Sequence, residues 1–290
     1  MTKIGETTKE TREELADSSL AFIGCGVMAE SIIAGLLKNE LVPADKIVAS
    51  HPREERRRQL GEKYGIDVFS NNAEAVKAAS GSEHPIVILC VKPQRADKVM
   101  KDISNAIDNQ LVLSIVAGCR IDTISSALGT DRVGRTMPNT PSQIGHGITA
   151  WTATEAVTES DRSRISSLLS ALGREMYVEN EHMIDMATSL SATGPTYIFL
   201  VMEALTDAGV HLGFSRDMSK ELVQETMLGA VLFAMESDLH PAELRNMVTS
   251  PGGTSADAIY QMEKGGLRTV LSKAVFAAYQ KAVELGEEKD

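Results

Sequence analysis

The stretch FIGCGVMAESIIAGL, residues Phe22 to Leu36, decides the fold. It continues an apolar run, SLAFIG, with the continuity of a strand buried on both faces. It leads into an apolar-striped segment, 28–39, with helical period. Gly24, Gly26 and Ala29 fall in a G-x-G-x-x-A pattern. The first glycine permits a tight turn, the second lets a pyrophosphate approach the backbone, and the alanine keeps helix and strand close. A turn with no ligand could use the same residues, and the pattern by itself is weak. Its position at the head of a strand–helix series favours a dinucleotide site, with Cys25, Val27 and Met28 completing the loop.

That series runs on through KIVAS (46–50), a charged helix over 53–64, IDVF (66–69), PIVILCV (85–91), a helical segment over 94–107, LVLSIVA (111–117) and DRVGRTMPN (131–139). Alternating strands and helices predict an α/β fold, a doubly wound and mostly parallel sheet of Rossmann type. The rhythm stops near residue 180. Beyond it, helices over 195–212 and 218–237 flank GFSRD, and both are apolar on most sides, as in YIFLVMEAL and TMLGAVLFAM. Such helices need cover on most sides, and the stretch is too short to provide it alone. An all-α domain that pairs two copies of the chain is therefore expected. The predicted division is a polar extension over 1–18 with a short helix at 9–16, a dinucleotide-binding domain over 19–180, and a helical dimerisation and substrate-binding domain over 181–290.

Lys and Arg number 29 against 40 Asp and Glu, a net charge of −11. An acidic chain without a basic block is not built for nucleic acid. Three scattered cysteines, Cys25, Cys90 and Cys119, form no disulfide framework and suggest a reducing compartment. The first residues, MTKIGETTKETREELADSS, lack the apolar core of a signal peptide, and no apolar run approaches the roughly 20 residues of a membrane span. A cytoplasmic protein with no membrane partner is expected. The six histidines are scattered, none in a metal-spaced pair, so no metal site is expected.

The second strand reports on the nucleotide. An Asp or Glu at its end would select the ribose diol of NAD; here Ser50 ends the strand, followed by Arg53, Arg56, Arg57 and Arg58. A small polar residue plus arginine suits a 2′-phosphate, so NADPH is expected as cofactor, with NADH possible in its place, and Ser50 and Arg53 as contacts. The plainer reading of the run is a solvated helix face laced to Glu54 and Glu55. Asn72, Cys90, Val91, Lys92 and Pro93, Ala117 and Gly118, and Asn139 belong to loops at carboxyl edges of the sheet, where a dinucleotide lies. Lys92 invites a catalytic role, yet a loop lysine whose backbone matters more is the stronger reading. Cys25 reads as a small filler.

Late in the chain, VTSPGGTS (248–255) separates two helical segments. It could be a plain corner. Its glycines, followed by a helix start, could equally expose backbone N–H groups to an anion. Taken in order, FIGCGVMAESI, VKP, MPNTP, SATGPTYIF and VTSPGGTS resemble the Δ1-pyrroline-5-carboxylate reductases over about residues 19–287. That family reduces a cyclic imine to proline with NAD(P)H. The resemblance implies a Rossmann domain followed by a helical domain that interlocks two subunits, with dimers often gathered into rings. It also implies that Ser250, Gly252, Gly253 and Thr254 receive the substrate carboxylate and that the Ser255 hydroxyl lies near the imine nitrogen as the catalytic contact. Three departures stand out: Ser255 replaces the usual Thr, Ser191-Ala192-Thr193-Gly194 replaces S-G-S-G, and Arg245-Asn246 replaces K-D.

Hydride transfer to a protonated imine needs no strong side-chain acid, in keeping with the lack of a catalytic dyad. His146, after MPNTP, reads as a loop residue rather than an acid. A β-hydroxyacid dehydrogenase would share the layout but needs a lysine on the interdomain helix, and none occurs between Lys101 and Lys220. A reductase of a related cyclic imine carboxylate and a non-catalytic dinucleotide-binding regulator remain as alternatives, the latter disfavoured by the intact clamp.

Overall fold

The computed structural model describes residues 13–287. The chain forms two compact units: one holds the described residues up to Thr193 and those from Ala278 onward, the other is Gly194–Ala277.

The first unit is built on an eight-stranded sheet in the order β3-β2-β1-β4-β5-β6-β7-β8. Its strands are β1 (Ser18–Ile23), β2 (Ile47–Ser50), β3 (Asp67–Phe69), β4 (His84–Leu89), β5 (Leu111–Ser114), β6 (Val133–Met137), β7 (Gly147–Ala153) and β8 (Gly173–Tyr177). All pairings are parallel except β6 with β7. Helices α1 (Val27–Lys38), α2 (Glu54–Tyr64), α3 (Asn72–Ala79), α4 (Ala96–Ile103), α5 (Ile121–Leu128), α6 (Glu159–Ser170) and α7 (His182–Ala187) connect and cover the strands. β1, β2, β5 and β6 are buried at every position, the reason the first three read as largely apolar runs rather than alternations, while β6 buries Arg135 and Thr136. Two apolar layers result, one around Phe22, Ile33 and Leu169, the other around Ile23, Val87 and Ile103. The order of the first five strands reverses between β1 and β4, the crevice where open α/β sheets bind ligands.

β7 and β8 were not expected. GITAWTA offers a strand pattern, but GREMY is polar and mostly exposed at the sheet edge, so burial gives it no apolar signature. The polar extension needs correction at its inner end: Leu15 is wholly buried in the core and Ser18 already belongs to β1. Of the short helix expected over 9–16, Glu13–Leu15 are helical and residues up to 12 lie outside those described. The first compact unit runs past residue 180 to Thr193. α7 sits against β6 and β7, and fully buried Arg135 on β6 pairs with Glu181 at 2.9 Å and Asp185 at 2.6 Å. A π-helical turn at Thr188–Ala192 follows, its hydroxyls turned back onto helix carbonyls.

The second unit is helical: α8 (Gly194–His211), α9 (Arg216–Glu236), α10 (Pro241–Met247), α11 (Thr254–Lys264) and α12 (Leu267–Glu287), whose last residues belong to the first unit. Ser215 caps α9 by accepting from the Met218 N–H, and His240 with Glu243 closes a capping box at α10. α8 and α9 pack closely at Gly209, where a Cβ would stand 2.7 Å from the Ser219 hydroxyl. Neither helix buries an apolar side chain; Phe199, Leu200, Val231 and Phe233 are each more than half exposed.

Candidate functional site

The glycine loop leaves β1 at Gly24, with φ +86°, where a Cβ would stand 2.4 Å from Val91 Cγ1 and 3.2 Å from the Cys90 carbonyl oxygen. Only glycine fits that conformation and that space. A Cβ on Gly26 would meet nothing within 4 Å, so a ligand has open access to the backbone there. Gly26 is the N-cap of α1 and no side chain caps it, which leaves the first amides of the helix to an anion. Ala29, 1% exposed, seats the helix on the core. These features fit a dinucleotide pyrophosphate. Cys25 is wholly buried, and burial, opposed by Arg56, pushes its thiol up to about 12; it packs and does not react.

Ser50 has a task that the sequence did not disclose. Its side chain is wholly buried; the hydroxyl accepts from the Gly24 N–H at 3.2 Å and donates to Asn72 Oδ1 at 2.8 Å. Ser50 and Asn72, both expected as cofactor contacts, are thus joined in a brace under the glycine loop. The arginine run is not laced to Glu54 and Glu55. Arg56 pairs with Glu30 on α1, Arg57 donates to the carbonyls of His51 and Pro52 at 3.0 and 2.9 Å, and Arg58 faces Glu62 at 3.8 Å. Arg53 is exposed at the N-cap of α2 and makes no ion pair among the described residues.

The other carboxyl-edge residues divide. Cys90 and Val91 wall the glycine loop, whereas Lys92 is exposed and precedes a 3-10 turn at Pro93–Arg95. Ala117 is half-buried, but Gly118, at φ +68°, lies where a Cβ would come within 2.7 Å of Leu285 Cβ. Close packing against the end of α12 is what its glycine serves. Asn139 is 9% exposed and its Oδ1 accepts from the Ile148 N–H at 3.0 Å, which fixes the loop after β6; His146 is exposed.

In the second unit, Ser250-Pro251-Gly252-Gly253 forms a tight turn: Gly252 has φ +70°, and the Gly253 N–H donates to the Ser250 carbonyl at 3.0 Å. Proline second and a positive-φ glycine third are what a type II turn requires. The Gly253 amide, expected among the carboxylate contacts, is therefore already engaged. Gly253 is the N-cap of α11 without a side-chain cap, so Thr254 and Ser255 contribute that helix's first N–H groups, which have no intrahelical acceptor. Ser250 lies in the turn that enters this helix, and Thr254 and Ser255 are its first residues.

Sequence reading missed two side chains. Glu30 receives Arg56, Lys63 at 2.9 Å and the Tyr64 hydroxyl at 2.9 Å; burial would raise its carboxyl, but those hydrogen bonds hold it at about 2. Glu181 accepts from both Arg135 and the Ile121 N–H, at 2.9 and 2.8 Å, tying β6 to the start of α5. Among the described residues, no three His, Cys, Asp or Glu side chains gather as a metal site, and no helix is long and apolar enough to cross a membrane.

A glycine loop opening on a helix at the switch point of a parallel sheet defines a dinucleotide-binding protein of the oxidoreductase type. A family model described as pyrroline-5-carboxylate reductase dimerisation matches residues 181–285, and one described as NADP oxidoreductase, coenzyme F420-dependent, matches 19–118. The pyrroline-5-carboxylate reductase of Pseudomonas aeruginosa is 40% identical over 93% of this chain and 97% of its own length; that of Arabidopsis thaliana is 36% identical over 92% and 95%. A Coxiella burnetii pyrroline-5-carboxylate reductase structure superposes with TM-score 0.83 at 34% identity, covering 93% of this chain and 98% of that one. The Plasmodium falciparum pyrroline carboxylate reductase, solved with NADP bound, gives 0.84 at 28% identity with the same coverage. The chain belongs to the pyrroline-5-carboxylate reductase family.

Proposed function

We propose that this protein reduces Δ1-pyrroline-5-carboxylate to L-proline with NADPH. The observation that carries the reading is the Ser250–Gly253 turn, which engages the Gly253 amide and leaves those of Thr254 and Ser255 open at the start of α11. Two such amides and the Ser250 hydroxyl suit a carboxylate, helped by the helix dipole. The Ser255 hydroxyl, on the same turn, accepts the N–H of the protonated imine and orients the ring. NADPH would supply the hydride to the C=N carbon, which becomes the Cδ of proline, while the carboxylate-bearing carbon is already its Cα. The open amides that follow Gly26 at the start of α1 hold its pyrophosphate, which Gly24 and Gly26 let approach; Cys90 and Val91 shape the loop; Ser50 and Asn72 brace it; and Arg53 pairs with the 2′-phosphate. Asn139 and Ala117 position the strand ends around the cofactor.

The protein works as a homodimer. The exposed apolar faces of α8 and α9, with Phe199 and Phe233 among them, are the surface that a second copy covers. Dimers gathering into a ring would follow the family pattern, and scattering mass measures the number. The free cysteines suit a reducing, cytoplasmic setting. The test is NADPH oxidation by purified protein with pyrroline-5-carboxylate, a piperideine carboxylate and a β-hydroxy acid. The five-membered imine should be turned over with the highest kcat/KM; preference for the six-membered ring would reassign the substrate, and no turnover of any would favour a regulator.

A further inference from the structure

Glu30 lies one turn into α1, the helix that opens on the glycine loop, and all three of its donors belong to α2. Arg56 and Glu30 shield each other, with side chains 19% and 20% exposed. Lys63 and Tyr64 complete the set from the far end of the same helix, each at 2.9 Å. Arg57 meanwhile ties the start of α2 to the carbonyls of His51 and Pro52, the two residues immediately before Arg53. Of the four arginines after β2, Arg56 and Arg57 are therefore struts, and Arg58 lies in solvent with 71% of its side chain exposed. Arg53 remains for a ligand.

We propose that Glu30 is a specificity-determining positioning residue: by holding α2 against α1 it sets Arg53 at the adenosine 2′-phosphate of NADPH. The inference rests on the NADPH reading above. α1 carries the glycine loop and so fixes the pyrophosphate, while the N-cap of α2 fixes Arg53. A phosphate is gripped by a guanidinium only if the two anchors keep a constant spacing. Among the described residues, Glu30 makes the side-chain hydrogen bonds that join the two helices. It also neutralises Arg56 and Lys63, so recognition falls to Arg53 rather than to a diffuse positive field. The carboxylate remains ionised at any working pH, as its depressed pKa shows.

The test separates the 2′-phosphate from the rest of the nucleotide. Calorimetric titration of 2′,5′-ADP and of 5′-AMP is run on wild type, Arg53→Ala, Glu30→Ala and Glu30→Gln, with KM and kcat measured for NADPH and NADH. Glu30→Ala should weaken 2′,5′-ADP roughly tenfold, the loss of one charge-assisted contact, and 5′-AMP by less than about twofold. NADPH KM should rise in step, with NADH kcat retained. Glu30→Gln, whose amide oxygen still accepts from Arg56, should recover part of the loss. Equal weakening of both nucleotides would reduce Glu30 to scaffold and overturn the proposal; tighter 2′,5′-ADP binding would mean that freed Arg56 is the ligand, which also overturns it. A wild type that binds 2′,5′-ADP no better than 5′-AMP overturns the NADPH reading and the proposal with it. A wild type that discriminates, with Arg53→Ala losing the discrimination and Glu30→Ala keeping it, overturns the proposal alone. Should Glu30→Ala not fold, Arg56→Gln cuts the same strut from the other helix and is judged by the same outcomes.

Discussion

Gly24→Ala isolates the two demands made on the first glycine of the loop. The backbone there sits at φ +86°, which costs an L-residue about 1–3 kcal/mol. The new Cβ would also stand 2.4 Å from Val91 Cγ1, and overpacking of that kind costs about 1–3 kcal/mol more. The single variant should therefore lose about 2–6 kcal/mol in urea unfolding at fixed protein concentration, with the m-value unchanged. Val91→Ala removes the clashing methyl without altering φ. In the double variant the part of the clash due to Val91 should vanish, giving a coupling energy of about 1–3 kcal/mol, while the backbone part persists. The Cys90 carbonyl at 3.2 Å is main chain and cannot be relieved this way. NADPH affinity should stay poor in the double variant, because the strained turn still aims the amides that follow. Additive effects of the two substitutions would refute the reasoning, since they would mean that the side chain of Val91 does not limit the space above Gly24.

Three further outcomes are expected. Ser255→Ala should lower kcat/KM for the imine by about one to two orders of magnitude, a loss of about 1.5–3 kcal/mol, with the NADPH Kd unchanged; Ser255→Thr should be tolerated, and a cofactor defect in either would displace the assignment. Arg135→Met should destabilise by about 3–5 kcal/mol in denaturant titration, because Glu181 and Asp185 would lose the guanidinium between them, and a neutral effect would mean that the guanidinium is not shielded as the 1% exposure of the Arg135 side chain indicates. Glu30 has a depressed folded-state pKa, so its contribution is fully present above its ordinary value of 4.5 and is lost as pH falls toward about 2. The stability gap between wild type and Glu30→Gln should accordingly close across that window, and a gap constant from pH 5 to 2 would contradict the carboxylate's pairing.

What could be seen in the sequence and what could not divides by distance along the chain. The G-x-G-x-x-A loop and the Ser-Pro-Gly-Gly turn were legible because each needs a conformation that few residues adopt, and glycine and proline announce it locally. Burial of β1, β2 and β5 showed as unbroken apolar runs; β8 lies at the sheet edge, half-solvated, and leaves no such trace. Hydrogen-bond partners were the harder matter. The end of a strand marks Ser50 as a candidate ligand contact, but nothing local discloses that its hydroxyl bridges Gly24 and Asn72, 26 and 22 residues away. The partners of Arg135 lie 46 and 50 residues on, and Arg56 passes over its neighbouring glutamates for Glu30, 26 residues back. A charge run looks the same whether it faces water or spans two helices. The tertiary fold decides between the two by supplying a shielded carboxylate, which takes up Arg56, whereas Arg53 makes no ion pair among the described residues.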